Sequence, residues 1–280
     1  MKRQQLIKLA RLVATDSPDL IPAVRAIQAA GDADKRGTWA HWAKRFADWL
    51  ESDGEAPFTI FARGNSKLPF YAFSALPLVT CPGAGACAKF CYSLKAWRYP
   101  AAFFRQCQNT LLILRQAPEL REAFQALPHG VTVRLYVDGD IDSVKTLCFW
   151  FDQLRARPDI SAYGYSKSWP IFLQFKRAFG DAAFPSNYRL NLSSGSRYGD
   201  DVAKQLESLP VYRGQFIAVP SIKATSDNRR EYAASVRESA KALGHDRVFV
   251  CPGKCGECTK SGHACGLNKF QAVTIAIGIH

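Results

Sequence analysis

Four cysteines near the C-terminal end of the sequence have the spacing of metal ligands. Cys251, Cys255, Cys258 and Cys265 stand among glycines, a proline and lysines, with His263 between the last two. The glycines let the backbone turn tightly and leave amides free to hydrogen-bond sulfur. Zinc and a [4Fe-4S] cluster each accept four Cys ligands, so the loop predicts one such site and leaves its metal open. His263 could replace one thiolate at zinc, or it could be a polar neighbour.

A second group of three cysteines, Cys81, Cys87 and Cys91, lies in the segment TCPGAGACAKFCYS. Three thiolates hold three irons of a [4Fe-4S] cube and leave the fourth iron open for a substrate or small ligand. The alternative is a structural site that a distant Cys or His completes. Cys107 and Cys148 lie in apolar helical runs, so we expect both to be small core residues.

The charge and cysteine content narrow the class of protein. Thirty-seven Lys and Arg against twenty-four Asp and Glu give a net charge of +13, which favours an anionic partner such as nucleic acid or a nucleotide, or else a solvated basic face. Lys8 and Arg11 interrupt any signal-peptide core, and no run of 18 apolar residues follows, so we expect a cytoplasmic protein with no membrane partner. Cysteines in that reducing compartment are metal ligands more often than disulfides.

The elements that must position these cysteines alternate in type. Residues 1–55 have helical periodicity and predict an N-terminal helical appendage. Residues 56–250 alternate short β-branched or aromatic runs with amphipathic segments, which predicts an α/β fold built as a partial (β/α)6 TIM-like barrel. Residues 251–280 form a Cys-rich loop and a final strand that covers an edge. The six predicted barrel strands are Leu76–Thr80, Val131–Val137, Ser161–Tyr165, Tyr188–Leu192, Gln215–Val219 and Arg247–Val250.

An aromatic stripe runs from Trp39 to Trp49 at helical spacing behind Thr38, a possible helix cap. We expect this stripe to be a packing face, because one side of an amphipathic helix must be buried. Lys44 and Arg45 beside it keep a base-stacking surface for nucleic acid open as the alternative.

Polar motifs follow the predicted strands, where parallel sheets and barrels bind their ligands. Lys167 could bind a phosphate or carboxylate, and Trp169 could stack on a base or simply begin the next helix. The motifs after the six strands, in order, are Cys81, Asp138–Asp140, Ser166–Trp169, Ser193–Ser196, Pro220–Ser221 and Cys251.

A cysteine triplet after the first of about six βα units resembles the radical S-adenosylmethionine enzymes. Their usual triplet is CxxxCxxC, whereas the spacing here is CxxxxxCxxxC. The resemblance implies that the triplet carries a reactive cluster and that S-adenosylmethionine lies near Asp138, Gly139 and Asp140, with Asn191 and Ser193 at its ribose or carboxylate. Asp138, Asp140 and Lys167 are then the expected catalytic residues. For the Asp-Gly-Asp segment, a simple turn or helix cap is the alternative.

The strings TCPGAGACAKFCY, VRLYVDGDI, YGYSKSW and NLSSGS, with the terminal Cys loop, are similar to a phage- and plasmid-borne family called gene product eighty-eight. The similarity spans about residues 58–268 and implies architecture rather than activity. Our leading hypothesis is an iron-sulfur protein with one or two [4Fe-4S] clusters and S-adenosylmethionine chemistry. The alternative is a basic nucleic-acid-binding or regulatory protein whose cysteines hold structural zinc or a sensing cluster without turnover.

Overall fold

The computed structural model describes residues 1–32, 34–52, 54–65, 67–256, 258–259 and 262–279. Within these ranges the chain forms nine α-helices and eight strands, and none of these helices has the length and apolar character needed to cross a bilayer. The helices are α1 (Arg3–Ala14), α2 (Leu20–Ala29), α3 (Trp39–Leu50), α4 (Pro100–Arg115), α5 (Pro118–Gln125), α6 (Val144–Ala156), α7 (Trp169–Phe179), α8 (Asp200–Leu206) and α9 (Arg229–Ala242). The strands are β1 (Ala62–Asn65), β2 (Leu68–Ala72), β3 (Thr132–Leu135), β4 (Ser161–Ser166), β5 (Tyr188–Ser193), β6 (Tyr212–Pro220), β7 (Val248–Val250) and β8 (Thr274–Ile279).

The eight strands form one sheet in the order β1-β2-β3-β4-β5-β6-β8-β7. β1 pairs with β2 antiparallel, and every other neighbouring pair is parallel. Helices connect β2 to β3 and each later strand to the next as far as β7, as parallel pairing requires. The predicted α/β class is confirmed, and the sheet is open, with β1 and β7 at its edges among the described residues.

The first barrel strand was predicted wrongly at 76–80. The first parallel strand is β2, and residues 77–80 form turns. Pro77 has no backbone N–H to donate, and Leu78 adopts a φ of 69°, which a strand cannot accommodate. The cysteine triplet therefore follows a turn rather than a strand end.

The prediction that the final strand covers an edge was also wrong. β8 lies between β6 and β7, with Phe216 paired to Ile275 and Val248 paired to Thr274. Ile275 and Ala276 point to opposite faces and are both fully buried, which is the pattern of an interior parallel strand. His280, the last residue of the predicted strand, lies outside the described residues.

The N-terminal helices pack on the rest of the molecule. Thr38 caps α3 by accepting the His41 N–H at 3.1 Å, as predicted. The Trp39 ring lies edge-on to Phe103 of α4 with 5.7 Å between centroids, and Phe46 is fully buried. The aromatic stripe is thus a packing face, and α1–α3 share one hydrophobic core with β3–β5 and α4–α8.

The two faces of the sheet differ in what covers them. On the outer face, strand residues such as Val133, Leu190 and Val219 pack against helices. The opposite face, here called the inner face, carries Arg134, Tyr163, Tyr165, Phe216 and Ile275. Tyr165 on β4 and Phe216 on β6 have ring centroids 4.7 Å apart although β5 lies between them. Since neighbouring strands are about 4.8 Å apart, these two rings reach towards each other over β5 on the inner face.

Candidate metal and ligand site

A cavity of about 650 Å³ lies between the inner face of the sheet and two cysteine-bearing loops. Cys107 is fully buried in α4, and Cys148 packs against the main core, as predicted for core residues. The other seven cysteines, all predicted as metal ligands, line the cavity: Cys81, Cys87, Cys91, Cys251, Cys255, Cys258 and Cys265. The structure therefore brings the two cysteine groups to one space, a question that the sequence left open.

Backbone hydrogen bonds join the first cysteine loop, residues 81–91, to the loop that follows β5. Gly85 donates its N–H to the carbonyl of Gly195 at 3.1 Å, and Arg197 donates to the carbonyl of Gly83 at 3.0 Å. A Cβ atom on Gly83 would lie 1.8 Å from the Lys167 carbonyl oxygen. One on Gly85 would lie 2.7 Å from the Arg197 nitrogen. The glycines of the Cys81–Cys91 segment therefore allow backbone contact that no side chain would permit.

The buried surroundings of the Cys81 thiol favour its neutral form. Burial, together with the nearby Asp140 and Cys91, raises the pKa of Cys81 to about 12. A thiol in this position keeps its proton at neutral pH unless a metal ion displaces it.

The second cysteine loop crosses the inner face of the sheet. It leaves the end of β7 and returns to the start of the parallel strand β8, so it has to cross the length of the sheet. Ala264 and Cys265 are buried there against Tyr163 and Ile275, and the Cys255 N–H donates to the carbonyl of Lys67 at 2.8 Å. This crossover makes the cysteine loop the cover of the inner face.

Three sulfur atoms of this loop accept hydrogen bonds. The N–H of Gly253 lies 3.4 Å from the Cys251 Sγ, the N–H of Ala264 lies 3.3 Å from the Cys258 Sγ, and the Tyr165 hydroxyl lies 2.7 Å from the Cys265 Sγ. Backbone amides donate in the same way to sulfurs that ligate iron-sulfur clusters. Burial raises the pKa of the Cys251 and Cys255 thiols, and that of Cys265 to about 12.

A buried arginine ties this loop to the sheet. Arg213 on β6 donates to the side-chain oxygen of Asn191 at 2.6 Å and to the carbonyls of Phe270 and Val273 at 3.2 and 2.6 Å. Asn191 in turn donates to the carbonyl of Cys265 at 3.0 Å. The structure thus places Asn191, which the resemblance assigned to cofactor binding, under the cysteine loop as part of its anchor.

The Asp138–Asp140 segment follows β3 at the edge of the cavity. Gly139 lines the cavity with a φ of 81°, and Asp138 accepts a hydrogen bond from Gln106 of α4 at 3.0 Å. Burial raises the pKa of the Asp138 carboxyl, against the effect of Arg134 nearby. Gln106, which also accepts from the Trp97 ring nitrogen at 2.8 Å, was not singled out from the sequence.

Asp140 lines the cavity, and its carboxylate accepts hydrogen bonds from the residues just before α7. Its Oδ2 accepts the N–H of Lys167 at 2.8 Å, the N–H of Ser168 at 3.2 Å and the hydroxyl of Ser168 at 3.0 Å. Burial raises the pKa of Asp140, while the backbone donors lower it. These donors precede the first helical residue of α7, and α6, the helix that follows the Asp138–Asp140 segment, is capped by Ser143. Asp140 therefore positions the loop between β4 and α7.

Lys167 and Ser193 meet on the wall of the cavity. The Lys167 Nζ donates to the Ser193 Oγ at 2.7 Å, so the ammonium group and the hydroxyl form a polar pair next to the first cysteine loop. Trp169 begins α7, is 7% exposed and donates to the Ser166 carbonyl at 2.8 Å. The helix-start alternative for Trp169 is confirmed.

Sequence reasoning missed Arg134 and Tyr163 on the inner face. The Arg134 guanidinium lies over the Tyr165 ring, 4.7 Å from its centroid, and all three residues line the cavity. The signal was present in β3, where Arg134 stands between the buried Val133 and Leu135. A charged residue in a strand buried on both faces needs a polar partner on its own face.

Two non-glycine residues with positive φ line the cavity. Leu78 has φ 69° and Tyr136 has φ 57°. Such conformations cost on the order of 1–3 kcal/mol each and collect at ligand sites. Their position is consistent with a functional cavity.

The two cysteine groups fit metal binding by their chemistry. All nine cysteines are free thiols, and in the described ranges no three His, Cys, Asp or Glu side chains are already placed around one point. Seven thiols nevertheless face one cavity, and backbone amides already point at two of the sulfurs. Thiolate is the ligand shared by zinc and iron-sulfur sites. The three-Cys loop would hold one group and the four-Cys loop the other.

The basic residues beside the aromatic stripe have intramolecular partners. Lys44 pairs with Asp48 at 2.6 Å. Arg45 lies over the Trp42 ring, 5.1 Å from its centroid, and donates to the Pro57 carbonyl at 2.8 Å. Both cations serve the fold of the N-terminal segment in this structure.

Comparison with known proteins identifies one family whose model matches the chain. A family model described as Gene product 88 matches residues 39–269, which is most of the chain and includes both cysteine groups. No curated protein and no solved structure matches. The chain therefore belongs to the Gene product 88 family.

Proposed function

We propose that this protein is an iron-sulfur protein of the radical S-adenosylmethionine kind. Cys81, Cys87 and Cys91 would hold an open [4Fe-4S] cluster, and the four cysteines between Cys251 and Cys265 a second, closed one. The observation that carries the proposal is the convergence of all seven thiols on one cavity. A cavity of about 650 Å³ is within the range that holds a nucleoside-sized ligand.

The fold supports this proposal. Seven of the eight strands run parallel, and helices cover the outer face. We take this arrangement as support for a partial barrel, in which ligands bind beyond the carboxyl ends of the strands. The first cysteine loop, Gly139, Lys167 and Ser193 all lie at those ends.

The chain's own residues would bind and orient the ligand. Lys167 and Ser193 offer an ammonium group and a hydroxyl to a carboxylate or ribose, and Asp140 holds Lys167 in place through its backbone. Cys81, Cys87 and Cys91 would hold the cluster, which would supply one-electron reduction of S-adenosylmethionine when bound. The apolar wall of Phe216, Ile275 and Ile277 would exclude water from that reaction.

Anaerobic purification followed by iron, acid-labile sulfide and zinc analysis tests the proposal. We expect about eight irons and eight sulfides per chain, halved in Cys81→Ala and in Cys258→Ala and unchanged in the control Cys148→Ala. The reduced protein should then convert S-adenosylmethionine to 5′-deoxyadenosine. Zinc without sulfide would overturn the cluster proposal, and two clusters without 5′-deoxyadenosine would overturn the chemistry alone.

A second candidate function is nucleic-acid binding with structural zinc. It is favoured by an exposed aromatic and basic surface on the 3-10 helix Tyr92–Arg98 and its flanks, at the cavity mouth. Tyr92 and Tyr99 are each 63% exposed, and Arg98 lies 5.9 Å over the Tyr99 ring. Exposed tyrosines can stack on bases while Lys89 and Lys95 meet phosphates.

Binding of labelled single-stranded RNA and DNA at several salt concentrations tests this second function. Affinity that falls steeply with salt and drops in Tyr92→Ala and Tyr99→Ala, but not in the exposed control Phe179→Ala, is the expected result. Equal affinity of the tyrosine variants and the native protein would contradict it.

A further inference from the structure

Three buried polar atoms of cavity-lining residues have no hydrogen-bond partner among the described residues. They are the Arg134 Nε, the Tyr163 hydroxyl and the His263 Nδ1, and each belongs to a cavity-lining residue. Buried polar groups are nearly always hydrogen-bonded, and each exception requires an explanation. Three exceptions on the wall of one cavity indicate groups whose partners belong to a ligand.

The charge of one group indicates the chemistry of that ligand. Arg134 is a permanent cation, and among the described side chains it forms no ion pair, although its charge acts on the nearby Asp138 carboxyl. The Arg134 side chain is half-buried with its Nε covered, and a guanidinium binds a carboxylate or phosphate through two parallel hydrogen bonds. The Tyr165 ring beneath Arg134 already fills one side of the guanidinium.

The other residues that line the cavity indicate the chemical character of the uncharged part of the ligand, here called its body. Phe216, Phe249, Ile275 and Ile277 line the cavity beside the polar groups. Such a wall favours an apolar or aromatic body that carries one anionic group.

We propose that the cavity binds a small amphiphilic substrate through its carboxylate or phosphate, with Arg134 as the anion anchor and Tyr163 as a second donor. This inference rests on the proposed function, because it names the substrate class of the same cavity. The anchor is distinct from Lys167 and Ser193, which would meet S-adenosylmethionine at the strand ends. The substrate therefore enters with its anion towards β3 and β4 and its apolar body along β6 and β8.

Binding of four probes to the anaerobically purified full chain tests the proposal. Benzoate and phenyl phosphate carry an anion and an aromatic body, inorganic phosphate lacks the body, and benzamide lacks the charge. We expect benzoate or phenyl phosphate to bind at least about tenfold more tightly than benzamide and than inorganic phosphate. The tighter of the two shows whether the site takes a carboxylate or a phosphate. Equal binding of benzamide, or no binding of either anion, would overturn the proposal.

Substitutions assign the anion preference to Arg134. Arg134→Gln should remove the preference for benzoate over benzamide, and Arg134→Lys should restore part of it. Arg189→Gln is the matched control. Arg189 is the register partner of Tyr163 on the neighbouring strand, so it lies on the same face of the sheet, but its guanidinium donates to the Ser186 and Tyr188 carbonyls. Tyr163→Phe should weaken anion binding a few-fold without loss of folding, since it removes only the hydroxyl, whose described polar neighbour is the Cys255 thiol, and it serves as the test if Arg134→Gln does not fold. Anion binding by Tyr163→Phe and Arg134→Lys as tight as that of the native protein would overturn the assignment.

Metal analysis of the same samples separates this proposal from the proposed function. We expect Arg134→Gln to keep the native metal and sulfide content. If it loses metal as Cys258→Ala does, the guanidinium belongs to the thiolate site and the proposal is wrong. If the native protein holds no cluster yet shows Arg134-dependent anion binding, the anion anchor stands and the proposed function falls.

Discussion

At the scale of single residues, the site depends on close backbone contacts at glycines and on the hydrogen bonds of one buried arginine. Gly83 and Gly85 bring the first cysteine loop against the loops after β4 and β5. Arg213 joins the second cysteine loop to the sheet, because it donates to the loop carbonyls of Phe270 and Val273 and also to the Asn191 side chain and the Gln215 carbonyl on the sheet. None of these residues is an expected metal ligand, yet both cysteine groups depend on them for position.

Gly83→Ala should disrupt the three-Cys loop. The added methyl group would meet the Lys167 carbonyl oxygen at 1.8 Å, so we expect the free energy of unfolding to fall by about 3 kcal/mol or more. Urea unfolding measures this loss. The control Gly199→Ala meets only the flexible Asp201 side chain and should cost less than about 1 kcal/mol. Equal effects of the two substitutions would show that the close approach is absent.

Arg213→Lys should release the four-Cys loop while keeping the charge. A lysine ammonium cannot reproduce the fork of donors that reaches Asn191, Phe270 and Val273, so we expect a loss of about 2–4 kcal/mol in unfolding free energy. Metal analysis should show loss at the four-Cys loop and retention at the three-Cys loop. Arg189→Lys is the control, and native metal content in Arg213→Lys would contradict the anchoring role.

At the scale of elements, helices position the site from behind the sheet. α4 is the clearest case, because its buried polar residues bind the segment between β2 and the first cysteine loop. Thr110 accepts the Leu76 N–H at 2.9 Å, and Asn109 donates to the Ser74 carbonyl at 3.1 Å. The same helix anchors the N-terminal segment, since Arg115 near its end pairs with Asp16 after α1 at 2.7 Å.

The Asp16–Arg115 pair predicts a small dependence of stability on pH. The hydrogen bond from Arg115 lowers the pKa of Asp16 below its ordinary value of 3.8. A carboxyl with a lowered folded pKa contributes stability above its unfolded pKa, and that contribution is lost as the pH falls through the folded pKa. Asp16→Asn should therefore cost less than about 1 kcal/mol at neutral pH, and the difference from the native protein should shrink in acid. Urea unfolding at several pH values measures it; a difference that grows in acid would contradict the assignment.

At the scale of the whole molecule, one hydrophobic core joins the N-terminal helices to the sheet. Leu9 of α1, Phe46 of α3, Phe104 of α4 and Leu190 of β5 belong to the same buried cluster. A second cluster joins α9 to β6 and β8, and a third lies under the second cysteine loop. The cavity is enclosed only because these parts meet.

The shared core predicts cooperative unfolding. Thermal or urea unfolding followed by far-UV circular dichroism and by tryptophan fluorescence should give coincident transitions, because Trp49 and Trp150 lie in the same core. Removal of residues 1–55 should expose Phe103 and Phe104 and give an aggregating chain. Two separate transitions, or a soluble and folded shortened chain, would show that the N-terminal segment folds independently.

The amino-acid sequence by itself determined the local features. Apolar runs and helical periodicity predicted the α/β class and the packing role of the Trp39–Trp49 stripe, and five of the six predicted barrel strands correspond to strands of the structure. Cysteine spacing separated the seven cavity thiols from Cys107 and Cys148. These features are encoded in the residues of one segment, so they can be recognised without knowledge of its neighbours.

Only the tertiary structure decided which distant groups meet. The insertion of β8 between β6 and β7 is a choice among strand pairings of similar local pattern, and it directs the second cysteine loop across the inner face. That crossing brings Cys255 and Cys265 to the cavity of Cys81 and sets Asn191 under the loop. The surroundings of Arg134, whose Nε has no hydrogen-bond partner among the described residues, likewise depend on side chains from several strands and loops. Such convergence is a property of long-range packing, and no single segment of the chain contains it.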